Sequence, residues 1–311
     1  MEERISKSRI SFQGRLIGGR SASASDVGVV VVTYNSERTI ARCLELLLAS
    51  AVVARLVVVD NASSDGTGAV LELFAKVNPE ITLVRNPDNR GFASACNQGA
   101  SALSTPWVAF VNPDCFVTRD TLARLVRHGL SRAGAGLLGV DMTNEFGQAD
   151  PAARRRDPSL RELLGAAGNR GDLYLGRDPH EVLQAVDAVS GALMLMPLGL
   201  FLQLAGFDEE FHLHVEDLDL CRRTREAGYE VLIANDLTVV HVGGVSSRSR
   251  PVWVEWQKHQ SLWRYFRKFE RRDTAWPLVP LLWLGLWGHF FVGATRALLR
   301  ARLGGRLSGS R

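Results

Sequence analysis

Cysteine is scarce in this chain of 311 residues: Cys43, Cys96, Cys115 and Cys221 are the full complement, and no two stand at a CxxC spacing. That argues against a disulfide framework or a zinc cluster and matches thiols kept reduced in a cytosolic setting. An apolar run of the signal-peptide kind is missing from the N-terminus. Residues 1–25, rich in Ser, Arg and Gly, read instead as a mobile basic tail. No glycine-rich, basic phosphate loop follows the first strand, where Thr33-Tyr34-Asn35-Ser36 stands, which disfavours a sugar-phosphate nucleotidyltransferase. The match to G-x-G-x-x-G at Gly134-Ala135-Gly136-Leu137-Leu138-Gly139 follows a helical stretch (Thr121 to Leu130) and opens a strand. Dinucleotide binding requires the reverse order, so NAD is not expected.

The formal net charge of +4 is unevenly spread. From Arg264 onward ten basic residues face two acidic ones, leaving +8 there and −4 in the rest of the chain. Within that basic segment residues 276–295 form an apolar run bearing Trp276, Trp283 and Trp287. It is long enough to span a bilayer, although Pro277, Pro280, three glycines and His289 weaken a full crossing. Tryptophans flanked by arginines suit an interfacial helix pair on the cytoplasmic leaflet, which is the reading adopted. The apolar residues are continuous, so the basic clusters point to lipid and not to nucleic acid.

What is present from residue 26 onward is a repeated strand, polar loop and helix. Val27 to Val32 leads to Thr33-Tyr34-Asn35-Ser36 and then to apolar residues at helical spacing. Val57-Val58-Val59 ends in Asp60-Asn61 with Asp65-Gly66-Thr67 behind it. Ile81 to Val84 ends in Arg85-Asn86-Pro87-Asp88-Asn89-Arg90-Gly91-Phe92, and Trp107 to Val111 closes on Asn112-Pro113-Asp114. Four strand ends thus converge polar side chains on one edge of a parallel sheet, the place where open α/β folds bind ligands. From the residues alone, Asp60-Asn61 is equally an ordinary βα loop.

Taken with Gly191-Ala192, Gly206-Phe207-Asp208-Glu209, Glu216-Asp217-Leu218-Asp219-Leu220 and His241, these pieces resemble the family 2 glycosyltransferases of the GT-A fold, and within them bacterial rhamnosyltransferases. The matching pieces appear in family order over roughly residues 26–245. The resemblance implies an α/β GT-A domain, Rossmann-like, with a mostly parallel sheet flanked by helices; the apolar run and its basic flanks add a C-terminal helical, membrane-associating segment at 246–311. It implies that Thr33, Tyr34, Asn35, Asp60, Asn61, Asn89, Arg90, Gly91, Phe92, Asn97, Asn112 and Asp114 contact a nucleotide-sugar donor. Asp114 stands at the second acid of the Asp-x-Asp signature and, with His241, would hold Mg²⁺ or Mn²⁺; Asn112 replaces the first acid, which makes metal affinity modest. Asp217 matches the family's base and Glu216 its support, while Glu216, Asp217 and Asp219 equally offset a helix macrodipole.

Two further features stay open. His212 and His214 have the alternation of a strand face and could form a metal pair. Arg154-Arg155-Arg156 could meet an acceptor diphosphate, although a solvated charge run is favoured. The expected function is inverting transfer of L-rhamnose from dTDP-rhamnose to a polyprenyl-linked saccharide at the inner face of the cell membrane. A UDP-hexose donor, or a tethered binding protein without activity, is the alternative.

Overall fold

The computed structural model describes residues 16–17, 20–21, 23–157, 173–243 and 251–308. Most of the expected N-terminal tail and the middle of the 151–179 stretch lie outside the described residues. β1 (Val27–Thr33) is buried along its whole length. Its valines, stiff at χ1, pack well when both faces of a strand are covered. α1 (Ile40–Leu48), β2 (Val53–Asp60), α2 (Thr67–Val77), β3 (Ile81–Arg85), α3 (Phe92–Ser101) and β4 (Trp107–Val111) follow. Strands β4, β1, β2 and β3 lie side by side and parallel, so their four C-terminal ends share one edge as the sequence requires.

After β4 come β5 (Cys115–Phe116), α4 (Thr121–Ser131), β6 (Ala135–Thr143), β7 (Arg154–Arg155), β8 (Leu183–Ala185), β9 (Ala188–Val189) and β10 (Leu193–Pro197). α5 (Leu198–Gln203), α6 (Glu216–Glu226) and β11 (Glu230–His241) complete this part of the chain. The main sheet runs β8-β11-β6-β10-β4-β1-β2-β3, with β5 paired to β11. β10 is antiparallel to both β4 and β6, whereas β6 and β11 are parallel. The α/β architecture is therefore parallel in its N-terminal half and mixed beyond it. The order helix α4 then strand β6 around Gly134 rules out the dinucleotide fingerprint there. α3 sits close against the sheet because residue 99 is glycine: a Cβ would lie 2.5 Å from Val30 Cγ1. Phe110, Phe201 and Phe207 form an aromatic cluster that ties β4, α5 and the turn after α5 together, with Phe110 4.9 Å from each of the other two rings.

α7 (Pro251–Phe269) and α8 (Leu278–Ser308) complete the chain. α7 packs on the core through buried Tyr265 and partly buried Leu262 and Phe269. Charged contacts reinforce this: Lys268 Nζ lies 2.5 Å from Asp219 and 2.8 Å from Asp208, and the Tyr265 hydroxyl donates to Asp157. α8 lies against α7, with Trp256 on Trp287 and Phe290, and His259 Nε2 3.0 Å from His289 Nδ1. Pro280 is accommodated because the first-turn N–H groups of a helix lack intrahelical acceptors. The stretch Leu278–Thr295 is long and apolar enough to cross a bilayer, and Leu281, Trp283, Leu284, Phe291 and Val292 are exposed on it.

Candidate active site

The strand-end loops are braced by their own polar side chains. Asn35 takes a left-handed conformation (φ 53°), accepts the Ser64 N–H on Oδ1 at 2.8 Å and donates its own N–H to Ser63 Oγ at 2.9 Å. Asp60 accepts from the Ser63 N–H at 3.0 Å, closing the turn after β2. Asn61 donates to the Gly91 carbonyl at 3.1 Å and accepts from Asn86 Nδ2 at 2.8 Å, linking the ends of β2 and β3. Gly91 has φ +86°, and a Cβ there would meet the His212 carbonyl at 3.0 Å.

These loops border a cavity of about 640 Å³. Of the residues singled out by sequence, Tyr34, Asn61, Asn89, Gly91, Phe92, Asn112, Asp114, Glu216, Asp217 and His241 line it. Thr33, Asn35, Asp60, Arg90 and Asn97 do not. Thr33 is buried at the end of β1. The exposed Arg90 lies 3.9 Å from Asp88. Asn97 fastens the Gly206-Phe207 turn to α3, donating to the Phe207 carbonyl and accepting its N–H at 2.9 and 2.8 Å.

Asp114 and His241 meet because β5 pairs with the end of β11 in the register His241 with Cys115, one residue from Asp114. His241 Nε2 stands 3.4 Å from Asp114 Oδ1. Burial lowers the imidazole's basicity, but the Asp114 carboxylate outweighs it and holds His241 above its ordinary value. A carboxylate and an imidazole at this spacing could supply two ligands to a divalent cation, with phosphate oxygens and water as the remaining ligands. Among the described residues no group of three or more His, Cys, Asp or Glu stands ready to hold a metal without such help.

The start of α6 lines the same cavity. The turn before it is strained: His214 and Val215 have φ 64° and 75°, the latter costly for a β-branched residue. This irregular turn replaces the strand face expected for His212 and His214, although both line the cavity. Asp217 Oδ2 accepts from Arg155 Nη2 at 2.5 Å and from the Gly191 N–H at 3.0 Å, while Oδ1 accepts the Leu218 N–H at 2.8 Å. Burial opposes its charge, yet Arg155 and these donors hold the Asp217 carboxyl below its usual value. Glu216 is the reverse case. Burial, then the neighbouring Asp217 charge, pushes it up to about 8, and its Oε2 has no hydrogen-bond partner among the described residues.

Of the arginine run only Arg156 is exposed; Arg154 and Arg155 are not a solvated patch. Arg154 is buried against Asp141, and Arg155 lines the cavity on Asp217, because β7 pairs with β9 and turns these side chains inward. Sequence reasoning also passed over Asp150, Ser190 and Trp253, all in the lining. Asp150 did carry a local signal, since it caps the short helix Pro151–Ala153.

The family model described as glycosyl transferase family 2 matches residues 28–164. The chain is a family 2 glycosyltransferase. It is 26% identical over 301 residues to an N-acetylglucosaminyl-diphospho-decaprenol L-rhamnosyltransferase of Mycobacterium tuberculosis, covering 88% of this chain and 95% of that protein. A pre-mycofactocin glycosyltransferase of the same organism is 30% identical over 222 residues, covering 69% of this chain and 43% of its own length. Among solved structures, a mannosyltransferase from Pyrobaculum calidifontis in complex with GDP-Man and Mn²⁺ superposes with a TM-score of 0.57 at 24% identity, covering 89% of this glycosyltransferase and 75% of that chain. The shared fold is GT-A.

Proposed function

We propose that this glycosyltransferase moves L-rhamnose from dTDP-rhamnose, with inversion, to a polyprenyl-diphosphate-linked saccharide at the cytoplasmic surface of the membrane. The observation that carries the proposal is a single cavity with the Asp114/His241 pair on one wall and the Glu216/Asp217 pair on another. The rhamnosyltransferase of M. tuberculosis, similar along nearly its whole length, supports the transferred sugar and the acceptor class. The exposed apolar face of α8 supports a membrane location.

In this reading Tyr34, Asn61, Asn89, Gly91, Phe92 and Asn112 border the donor, and Thr33, Asn35, Asp60, Arg90 and Asn97 shape the loops around them. Asp114 and His241 would hold Mg²⁺ or Mn²⁺, which supplies charge neutralisation for the departing diphosphate. Asp217 takes the proton of the acceptor hydroxyl as its oxygen bonds to the anomeric carbon; the bond from that carbon to the diphosphate oxygen breaks and its electron pair leaves with the nucleotide. Inversion follows from attack opposite the leaving group. Glu216, protonated near neutral pH, does not compete as a base. Residues 26–245 carry the reacting groups, α7 completes the cavity with Trp253 and Val254, and α8 docks the protein on lipid.

The testing experiment supplies purified protein with dTDP-rhamnose, UDP-glucose and UDP-galactose, each with a prenyl-diphosphate-linked N-acetylglucosamine. Transfer from dTDP-rhamnose with little from the UDP-hexoses is expected. Efficient UDP-hexose transfer with none from dTDP-rhamnose would overturn the donor while leaving the family intact. Free dTDP and UDP should both compete, since a thymine methyl contributes only about 1 kcal/mol.

A further inference from the structure

Arg155 reaches Asp217 across 62 positions of sequence, and its route is fixed by backbone pairing. β7 pairs with β9 in the register Arg155 with Ala188, and the guanidinium also donates to the Val189 carbonyl at 2.6 Å. Its side chain is thus held at two points before any substrate arrives. On the carboxylate, Oδ2 is filled by Arg155 and the Gly191 N–H, whereas Oδ1 carries one donor, the Leu218 N–H. A carboxylate anchored on one oxygen by a charge-assisted bond keeps its plane, and the other oxygen retains a lone pair. Gly191 leaves room for this arrangement: a Cβ there would crowd Asp217 Cβ at 3.3 Å.

We propose that Arg155 is a positioning residue for glycosyl transfer, fixing Asp217 as an oriented anion whose Oδ1 receives the acceptor proton. The inference rests on Asp217 being the base. The other ionisable groups near Asp217 are Glu216 and Cys221 on its own helix and His214 from the turn before it. Burial and the charge of Lys258 lower His214, so it does not replace Arg155 as a cation. Removing the guanidinium leaves two adjacent buried carboxyls, and both then favour the protonated form.

The test is the pH dependence of kcat for the full chain in detergent, with dTDP-rhamnose and prenyl-diphosphate-linked N-acetylglucosamine. The wild type should hold its rate down to about pH 5, and Arg155→Met should move the acid limb up by about one pH unit or more with donor KM little changed. Arg155→Lys, which keeps a cation, should leave the limb near the wild-type position even if kcat falls. An unmoved limb in Arg155→Met, or equal shifts in both variants, overturns the proposal. Should Arg155→Met fail to accumulate, the wild-type profile still decides: a limb above about pH 6.5 contradicts an arginine-held anion. Asp217→Asn separates the two layers. Near-normal turnover there removes the base itself, whereas a dead Asp217→Asn beside an unshifted Arg155→Met removes only the role of Arg155.

Discussion

Replacing Glu216 by glutamine should make this glycosyltransferase more stable, and the gain should depend on pH. In the unfolded chain this carboxyl ionises near its ordinary value of 4.5; in the fold it keeps its proton to about 8. Between those values the folded state binds more protons than the unfolded one, so stability falls as pH rises, at about 1.4 kcal/mol per pH unit. At pH 7 the accumulated cost is about 3 kcal/mol, shared in part with Asp217 through their coupling. Glutamine has nearly the same volume and no charge to lose, so Glu216→Gln should recover about 2 to 3 kcal/mol at pH 7 to 8 and nothing at pH 4.5. Thermal and urea unfolding of the full chain in nonionic detergent at pH 4.5, 6 and 8 reads this directly. A difference between variant and wild type that does not grow with pH, or a variant less stable at pH 8, would refute the reasoning.

Asp217→Asn should lower kcat by about 10² to 10⁴ with little change in donor affinity, read by steady-state kinetics, and Glu216→Gln should be milder. The same Asp217 change should destabilise the fold by about 3 kcal/mol in denaturant titrations, because Arg155 loses its partner in a buried site. Asp114→Ala should weaken nucleotide-sugar binding and turnover together, His241→Ala should cost less and be partly offset by added Mn²⁺, and EDTA should abolish activity; turnover indifferent to EDTA removes the metal from the scheme. Deleting residues 273–311 should release the protein from vesicles of anionic lipid while preserving transfer to a short soluble acceptor; persistent sedimentation with vesicles would place the docking surface elsewhere.

The sequence is most informative where neighbouring residues act on each other. The four strand ends at Thr33, Asp60, Arg85 and Val111 fall on one edge because valine-rich runs and short βα loops leave the backbone few alternatives. Asn61, Asn112 and Asp114 were therefore legible as an edge cluster before any coordinates. Long-range pairing was not. β10 enters antiparallel between β4 and β6, and no periodicity within Leu193–Pro197 encodes its partners. Arg155 reads as one of three arginines until β9 turns it toward Asp217, and Trp253 reads as part of an appendage until α7 folds back over the cavity. The strained His214-Val215 turn likewise gives no sign in composition, since valine is an unusual residue for a left-handed site.

The clamp of Lys268 on Asp219 has a consequence for how this protein could be cut and recombined. Asp219 is fully buried, two residues beyond Asp217, and receives both Arg223 from its own helix and Lys268 from α7. A chimera joined at residue 245 would remove α7, strip Lys268 from that carboxylate and take away Trp253 and Val254 from the cavity rim. The better seam for exchanging C-terminal modules lies between Phe269 and Leu278, where the chain leaves α7 and enters α8. A graft made there exchanges the apolar helix α8 and leaves the charge pattern around Asp217 and Asp219 intact.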